Sequence, residues 1–112
     1  GIRAAKQFLS KKDNVPTAVF TISDSMAIGA IRCFKENGLK VPEDISVIGF
    51  DDITYASMYD PMLTTVSQPQ VELGCEAMEL LLAQIRGDIN EPKSIFLDYE
   101  LIIRESTGVC KI

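Results

Sequence analysis

The chain has 112 residues, 46% of them apolar, which fits one small domain with a packed core and argues against disorder. Its net charge of −5, with 11 basic residues scattered among 16 acidic ones, excludes the phosphate-neutralising surface that direct contact with DNA or RNA requires. The absence of histidine removes the commonest general base and a common metal ligand.

Gly1 to Leu9 reads as an amphipathic helix with no N-cap before it, so the chain is expected to begin within an element that further sequence precedes. Residues 13–16, DNVP, read as a turn. Thr17 to Ile22 is a short β-rich run, apolar enough for a buried parallel strand. Ser23 or Asp24 supplies an N-cap, and a helix follows to about Asn37. Ala27, Ile31 and Phe34 fall on one face of it, and Gly38 is its stop. After a return loop at 41–44, Ile45 to Phe50 forms a second buried strand that runs straight into Asp51 and Asp52. Strand, helix and strand of these lengths imply a right-handed crossover and parallel pairing.

The second half changes character. Ile53 to Pro61 is a loop with aromatic and apolar side chains, and Leu63 to Val66 is a short extended piece. Pro69 opens a long helix to about Arg86, with Gly87 as its stop. Glu72, Glu76, Glu79 and Arg86 make a narrow polar stripe on it, while Val71, Cys75, Met78, Leu81, Leu82 and Ile85 cover much of the rest. Burial on more than one side is therefore expected, because each large apolar side chain left in water forgoes roughly 1.5–3 kcal/mol. The face is expected to be hidden against the chain's own strands or against a second copy. Ile95, Leu97, Tyr99, Leu101 and Ile103 alternate with mostly polar neighbours, the period of a strand.

No apolar stretch approaches membrane-spanning length and no signal peptide opens the chain. Cys33, Cys75 and Cys110 are widely spaced and odd in number, which suits a reducing cytoplasm better than a disulfide framework. Cys33 and Cys75 lie in apolar helical patterns and read as inert core thiols.

The sharpest chemical feature is an acid at the end of each parallel strand: Asp24 after the first, Asp51 and Asp52 after the second. Open α/β sheets bind ligands outside the carboxyl ends of their strands. A carboxylate there accepts hydrogen bonds from hydroxyls or amino groups, as holding a sugar or a nucleoside requires. Taken singly, Asp24 reads equally as a helix cap and Asp52 as a solvated turn residue. Asp51, directly at the strand end, points to ligand contact. A Mg²⁺-binding receiver domain would need an acidic pair opening the chain and a lysine after a late strand, whereas Lys93 precedes its strand. Nothing sets two carboxylates at the separation glycoside hydrolysis needs. No phosphate-loop, dinucleotide, nucleophile-elbow or zinc motif is present, and Ser23 has no histidine to activate it. No enzymatic activity, cofactor or metal is expected.

Four segments carry a resemblance. Residues 23–30 (SDSMAIGA) resemble the D-x-M-A-x-G-A helix start of the lactose/galactose-repressor family of transcription regulators. Residues 41–52 (VPEDISVIGFDD), 61–69 (PMLTTVSQP) and 101–108 (LIIRESTG) are similar to three further segments of that family, in the same order. The resemblance covers nearly the whole chain. It implies an α/β, periplasmic-binding-protein-like (type I) fold, in which two lobes of parallel sheet flanked by helices close on a small-molecule effector, incomplete here and mainly the C-terminal lobe. By the same resemblance, residues 1–61 and 95–106 belong to the C-terminal lobe, and 64–90 cross to the N-terminal lobe.

Residue by residue, the resemblance makes Asp51 the ligand of an effector hydroxyl. It places Ser23 at a polar cleft position and Phe50 and Gln68 at the cleft wall, and Asp24 joins this effector-binding set from its strand-end position. It implies a homodimer through Ile28, Arg32, Met58 and Tyr59, and contact with DNA only through an N-terminal headpiece outside these residues. The implied function is sensing of a sugar-like or nucleoside-like effector by a cytoplasmic repressor. The competing reading is a sugar-binding protein of a transport system, which shares the lobes and the strand-end acid. The crossover at 63–69 and the ending at 102–108 favour the regulator.

Overall fold

The computed structural model describes residues 1–11 and 15–110. The first two positions of the turn expected at 13–16 lie outside them. The chain divides into two compact units, Gly1–Ser67 with Leu101–Ile112, and Gln68–Glu100.

The first unit is built on parallel strands β1 (Ala18–Phe20), β2 (Ser46–Phe50) and β3 (Thr64–Ser67), and β4 (Glu100–Ile102) lies beyond β3 in the strand order. β2 is central: Val47 pairs with Val19 of β1, and Gly49 with Thr65 of β3. Helices α1 (Ile2–Ser10) and α2 (Asp24–Glu36) lie in the same unit, α2 against β2 and α1 against α2. The core is where they meet: Ala27, Ile31 and Phe34 of α2 are fully buried with Ile45, Val47 and Leu63. Each large side chain so removed from water contributes roughly 1.5–3 kcal/mol.

Local chemistry fixes the ends of α2. Ser23 is the N-cap, its Oγ accepting the Met26 N–H at 3.3 Å. Asp24 stands in the first turn and Lys35 in the last, each of the sign that the helix dipole favours. Gly38, at φ +85°, turns the chain away. β1 departs from expectation. It is not buried on both faces, since Ala18 and Phe20 are exposed. Among the described residues it pairs with β2 alone, and an edge strand has fewer neighbours to cover it.

The closing segment is stitched to the sheet by side chains. Ser106 is fully buried; its hydroxyl donates to the Val47 carbonyl at 2.6 Å and accepts the Thr64 N–H at 2.8 Å. Its carbonyl accepts the Val47 N–H at 2.8 Å. Ser106→Ala removes the acceptor of a buried N–H and is expected to cost about 1–3 kcal/mol. Urea denaturation checks it, and an unchanged midpoint would mean that the stitch adds nothing.

In the second unit, α3 (Gln70–Arg86) ends at Gly87, whose φ of +78° lets the Asp88 N–H reach the Ala83 carbonyl at 2.9 Å. No residue of α3 is buried, and Cys75 is exposed. Within the single chain the expected burial of this helix on two sides, and of Cys75 as a core thiol, is therefore not found. One helix and an irregular stretch to residue 99 provide no second layer to cover it. The strand expected from Ile95 to Ile103 shrinks to Glu100–Ile102. Alternation describes the side chains, but a strand also needs a ladder partner along its length. Among the described residues no helix is long and apolar enough to cross a membrane.

Candidate functional site

The C-terminal ends of β1 and β2 bring together Ser23, Asp24, Phe50, Asp51 and Asp52. Parallel pairing of Phe20 with Ile48 sets the two strand ends side by side. The rings of Phe20 and Phe50 meet edge to face there, with centroids 6.3 Å apart.

Asp51 and Asp52 both have positive φ, +106° and +52°. Residues with a Cβ seldom adopt such backbones, and the turn is held by contacts on every side. The Asp51 N–H donates to the Val66 carbonyl at 2.9 Å. Arg104 Nη2 donates to Asp52 Oδ1 at 2.7 Å. The Ile53 N–H donates to Asp24 Oδ2 at 2.8 Å. Asp51 itself is half-buried at the strand end.

Asp24 is fully buried, and the rest of its carboxylate is also engaged: Oδ1 accepts the Thr65 hydroxyl. It thus ties the start of α2 to β3 and to the loop after β2. The lack of a side chain at Gly49 makes room for it, since a Cβ there would lie 2.1 Å from Asp24 Oδ1. Asp24 is accordingly not the helix cap, a part played by Ser23, and its oxygens face protein donors. Ser23 is half-buried and its Oγ is used in that cap. Gln68 is half-buried at the first position after β3.

Arg32 and Tyr59 lie close together, on α2 and after the short 3₁₀ helix Thr54–Ser57. Arg32 bonds Glu36 at 2.8 Å, which holds its guanidinium above the ordinary value, and the Tyr59 phenol adds a little. Lys35 is raised likewise, chiefly by its hydrogen bond to Asp60 at 2.8 Å. Ile28 and Tyr59 are half-buried against the core, while Met58 is 72% exposed. The Tyr55 and Tyr59 rings stand 6.2 Å apart.

A concavity of about 440 Å³ lies elsewhere, at the opposite end of the strands, lined by residues including Thr17, Pro42, Ser46 and Gly108. It contains none of the expected site residues. Among the described residues no three of His, Cys, Asp and Glu are grouped to hold a metal ion. Sequence reasoning missed Thr65, Gly49 and Arg104. Thr65 and Arg104 come from segments about 40 residues or more from their partners Asp24 and Asp52, which no periodicity reveals. The only signal was that Gly49, Thr65 and Arg104 each lie inside a family-like segment.

Residues 1–107 match the family model of the periplasmic binding protein-like domain. The HTH-type transcriptional repressor CytR of Escherichia coli (strain K12) is 51% identical over 107 residues, covering 96% of this chain and 31% of its own length. The chain thus spans about a third of the curated relatives it matches. Among solved structures, a complex of the transcriptional regulator CelR with cellobiose superposes with a TM-score of 0.87 at 38% identity, covering 94% of this chain and 32% of that one. The Lac repressor dimer bound to operator and an anti-inducer gives 0.83 at 37% identity, covering 95% and 36%. A LacI-family regulator from Enterococcus faecium with bound ribose gives 0.80 at 34% identity, covering 96% and 40%.

Proposed function

Because this chain belongs to the periplasmic binding protein-like domain family, in the branch of LacI-type transcription regulators, we propose that it is the effector-sensing and dimerising part of a bacterial repressor. The observation that carries the reading is Asp51: a carboxylate at the carboxyl end of the central strand, on a turn held by three separate contacts. Its acceptor chemistry suits the vicinal hydroxyls of a furanose or pyranose, in a free sugar or a nucleoside. Cellobiose and ribose in the related regulators are of this class. Ser23 and Phe50, in the same unit, complete the proposed contacts, with Phe50 offering an apolar surface; Gln68, which the resemblance puts at the cleft wall, belongs to the second unit. Asp24 is assigned to holding the turn in place, since Thr65 and Ile53 already engage its carboxylate.

The protein is proposed to work in the cytoplasm, without enzymatic activity, and to dimerise around Ile28, Arg32, Met58 and Tyr59. DNA is reached through a headpiece outside these residues. The transport-protein reading is not favoured, because the relatives at 41–51% identity are transcriptional repressors or regulators.

Calorimetry on the full-length protein with ribose, cellobiose and a ribonucleoside tests the proposal, alongside operator binding. Saturable binding of one of them that alters operator affinity is the expected result. No binding to any, together with an operator affinity indifferent to a wider panel of sugars, would remove the effector reading. The 112 residues alone are expected to give no sequence-dependent gel shift at moderate salt, given the net charge of −5.

A further inference from the structure

We propose that Arg104 is a positioning residue of the effector site: it fixes the Asp51–Asp52 turn and so sets where the Asp51 carboxylate stands. The inference rests on the reading of Asp51 as the effector's acceptor.

Two consecutive non-glycine residues at positive φ will not hold that geometry unaided. Arg104 reaches the turn from the far end of the sequence. One guanidinium nitrogen donates to Asp52 Oδ1 at 2.7 Å and the other to the Leu63 carbonyl at 2.9 Å. A single planar fork thereby joins the turn after β2 to the residue before β3. The arginine's own backbone is fixed as well, its N–H donating to Thr64 Oγ1 at 2.9 Å, and that oxygen meets the Thr107 hydroxyl at 2.9 Å. The ion pair is shielded, with the two side chains only 16% and 23% exposed, so solvent competes weakly for either partner. Every link in this chain of contacts is within the first unit. Lysine carries the charge but lacks the fork, so it cannot reproduce both bonds in that geometry.

The test uses the full-length protein with Arg104→Met, Arg104→Lys and Asp52→Asn, read by amide-resolved hydrogen exchange and by calorimetry with ribose, cellobiose and a ribonucleoside. Arg104→Met is expected to accelerate exchange roughly tenfold or more at Asp51 and Ile53, whose N–H groups are bonded in the turn. The Thr21 and Ser46 amides, bonded between β1 and β2, should keep their protection. Affinity for the probe that the unaltered protein binds should fall roughly 10- to 100-fold. Asp52→Asn, a milder change if Arg104→Met folds poorly, should act in the same direction, and the double variant should be no worse than the worse single. Arg104→Lys should lie between. Unchanged exchange at Asp51 and Ile53 overturns the proposal, and so does a uniform loss of protection that includes Thr21 and Ser46. If the unaltered protein binds none of the probes, the effector reading fails, while the exchange pattern still decides whether Arg104 holds the turn.

Discussion

Gly49→Ala is expected to destabilise the protein by about 3 kcal/mol or more. A Cβ at this position falls 2.1 Å from Asp24 Oδ1 and 2.8 Å from Leu63 Cδ2. Neither neighbour can step aside cheaply. Leu63 is fully buried, and the Asp24 carboxylate is held by the Thr65 hydroxyl and the Ile53 N–H. Making room therefore means either breaking hydrogen bonds to a buried carboxylate or forcing β2 away from β3. Overpacking alone costs about 1–3 kcal/mol, and each lost bond to a charged group adds about as much. That is a large share of the stability of a small domain. The soluble fraction on expression and the urea midpoint check it. A companion variant isolates the larger cause: in Gly49→Ala with Asp24→Ala the clash with the carboxylate is gone and only the one with Leu63 remains, so the pair should lose less than the sum of the two singles. A Gly49→Ala protein that melts like the original would mean that the carboxylate does not sit where it is described.

Asp51→Ala should have the largest effect on function. In the full-length protein, effector response is expected to disappear while operator binding without effector persists. Losing one charged acceptor against a ligand hydroxyl is worth about 2–3 kcal/mol, or roughly 30- to 150-fold in affinity. The alanine keeps the backbone N–H that meets the Val66 carbonyl at 2.9 Å, so the strand end retains that bond. Asp51→Asn separates charge from shape, because the amide oxygen still accepts while the negative charge is gone. Calorimetry with the probe that binds the unaltered protein, and operator retardation with and without it, give the two readouts. Undiminished affinity in Asp51→Ala would exclude this side chain as the ligand contact.

The elements of the first unit were legible because local chemistry and the core agree there. Ser23 before an apolar stripe at 27, 31 and 34, closed by Gly38, gives α2 its bounds within two residues. Ile45 to Phe50, a short apolar run between turn signals, reads as a strand, and it is one, but its burial alternates: Val47 is fully buried while Ile48 and Phe50 are half-buried. The second half was less legible. Periodicity in α3 promises partners that its own unit does not contain, and the alternation at 95–103 found a ladder over three residues only. For the site, the sequence pointed to the acids but not to their division of labour. Asp24, Asp51 and Asp52 look alike in a string of letters. What separates them is distant: Thr65 claims Asp24 and Arg104 claims Asp52, across 41 and 52 positions. The dimer surface is legible only through likeness to relatives, since an exposed Met58 and a half-buried Ile28 are ordinary features of a small protein's surface.

The stitch made by Ser106 has a consequence for synthesis. Its hydroxyl joins Val47 and Thr64, which precede it by 59 and 42 positions. During translation β2 and β3 leave the ribosome well before their fastening does, and all of α3 must be made in between. The nascent sheet therefore waits with the buried Thr64 amide and the Asp52 carboxylate unmatched, until residues 104 to 106 arrive. Closing so long a loop is entropically only a little dearer than closing a short one, so the delay is one of timing more than of free energy. Ribosome-bound chains halted just before Arg104 should consequently be far more open to protease than chains that extend past Gly108 and clear the exit tunnel.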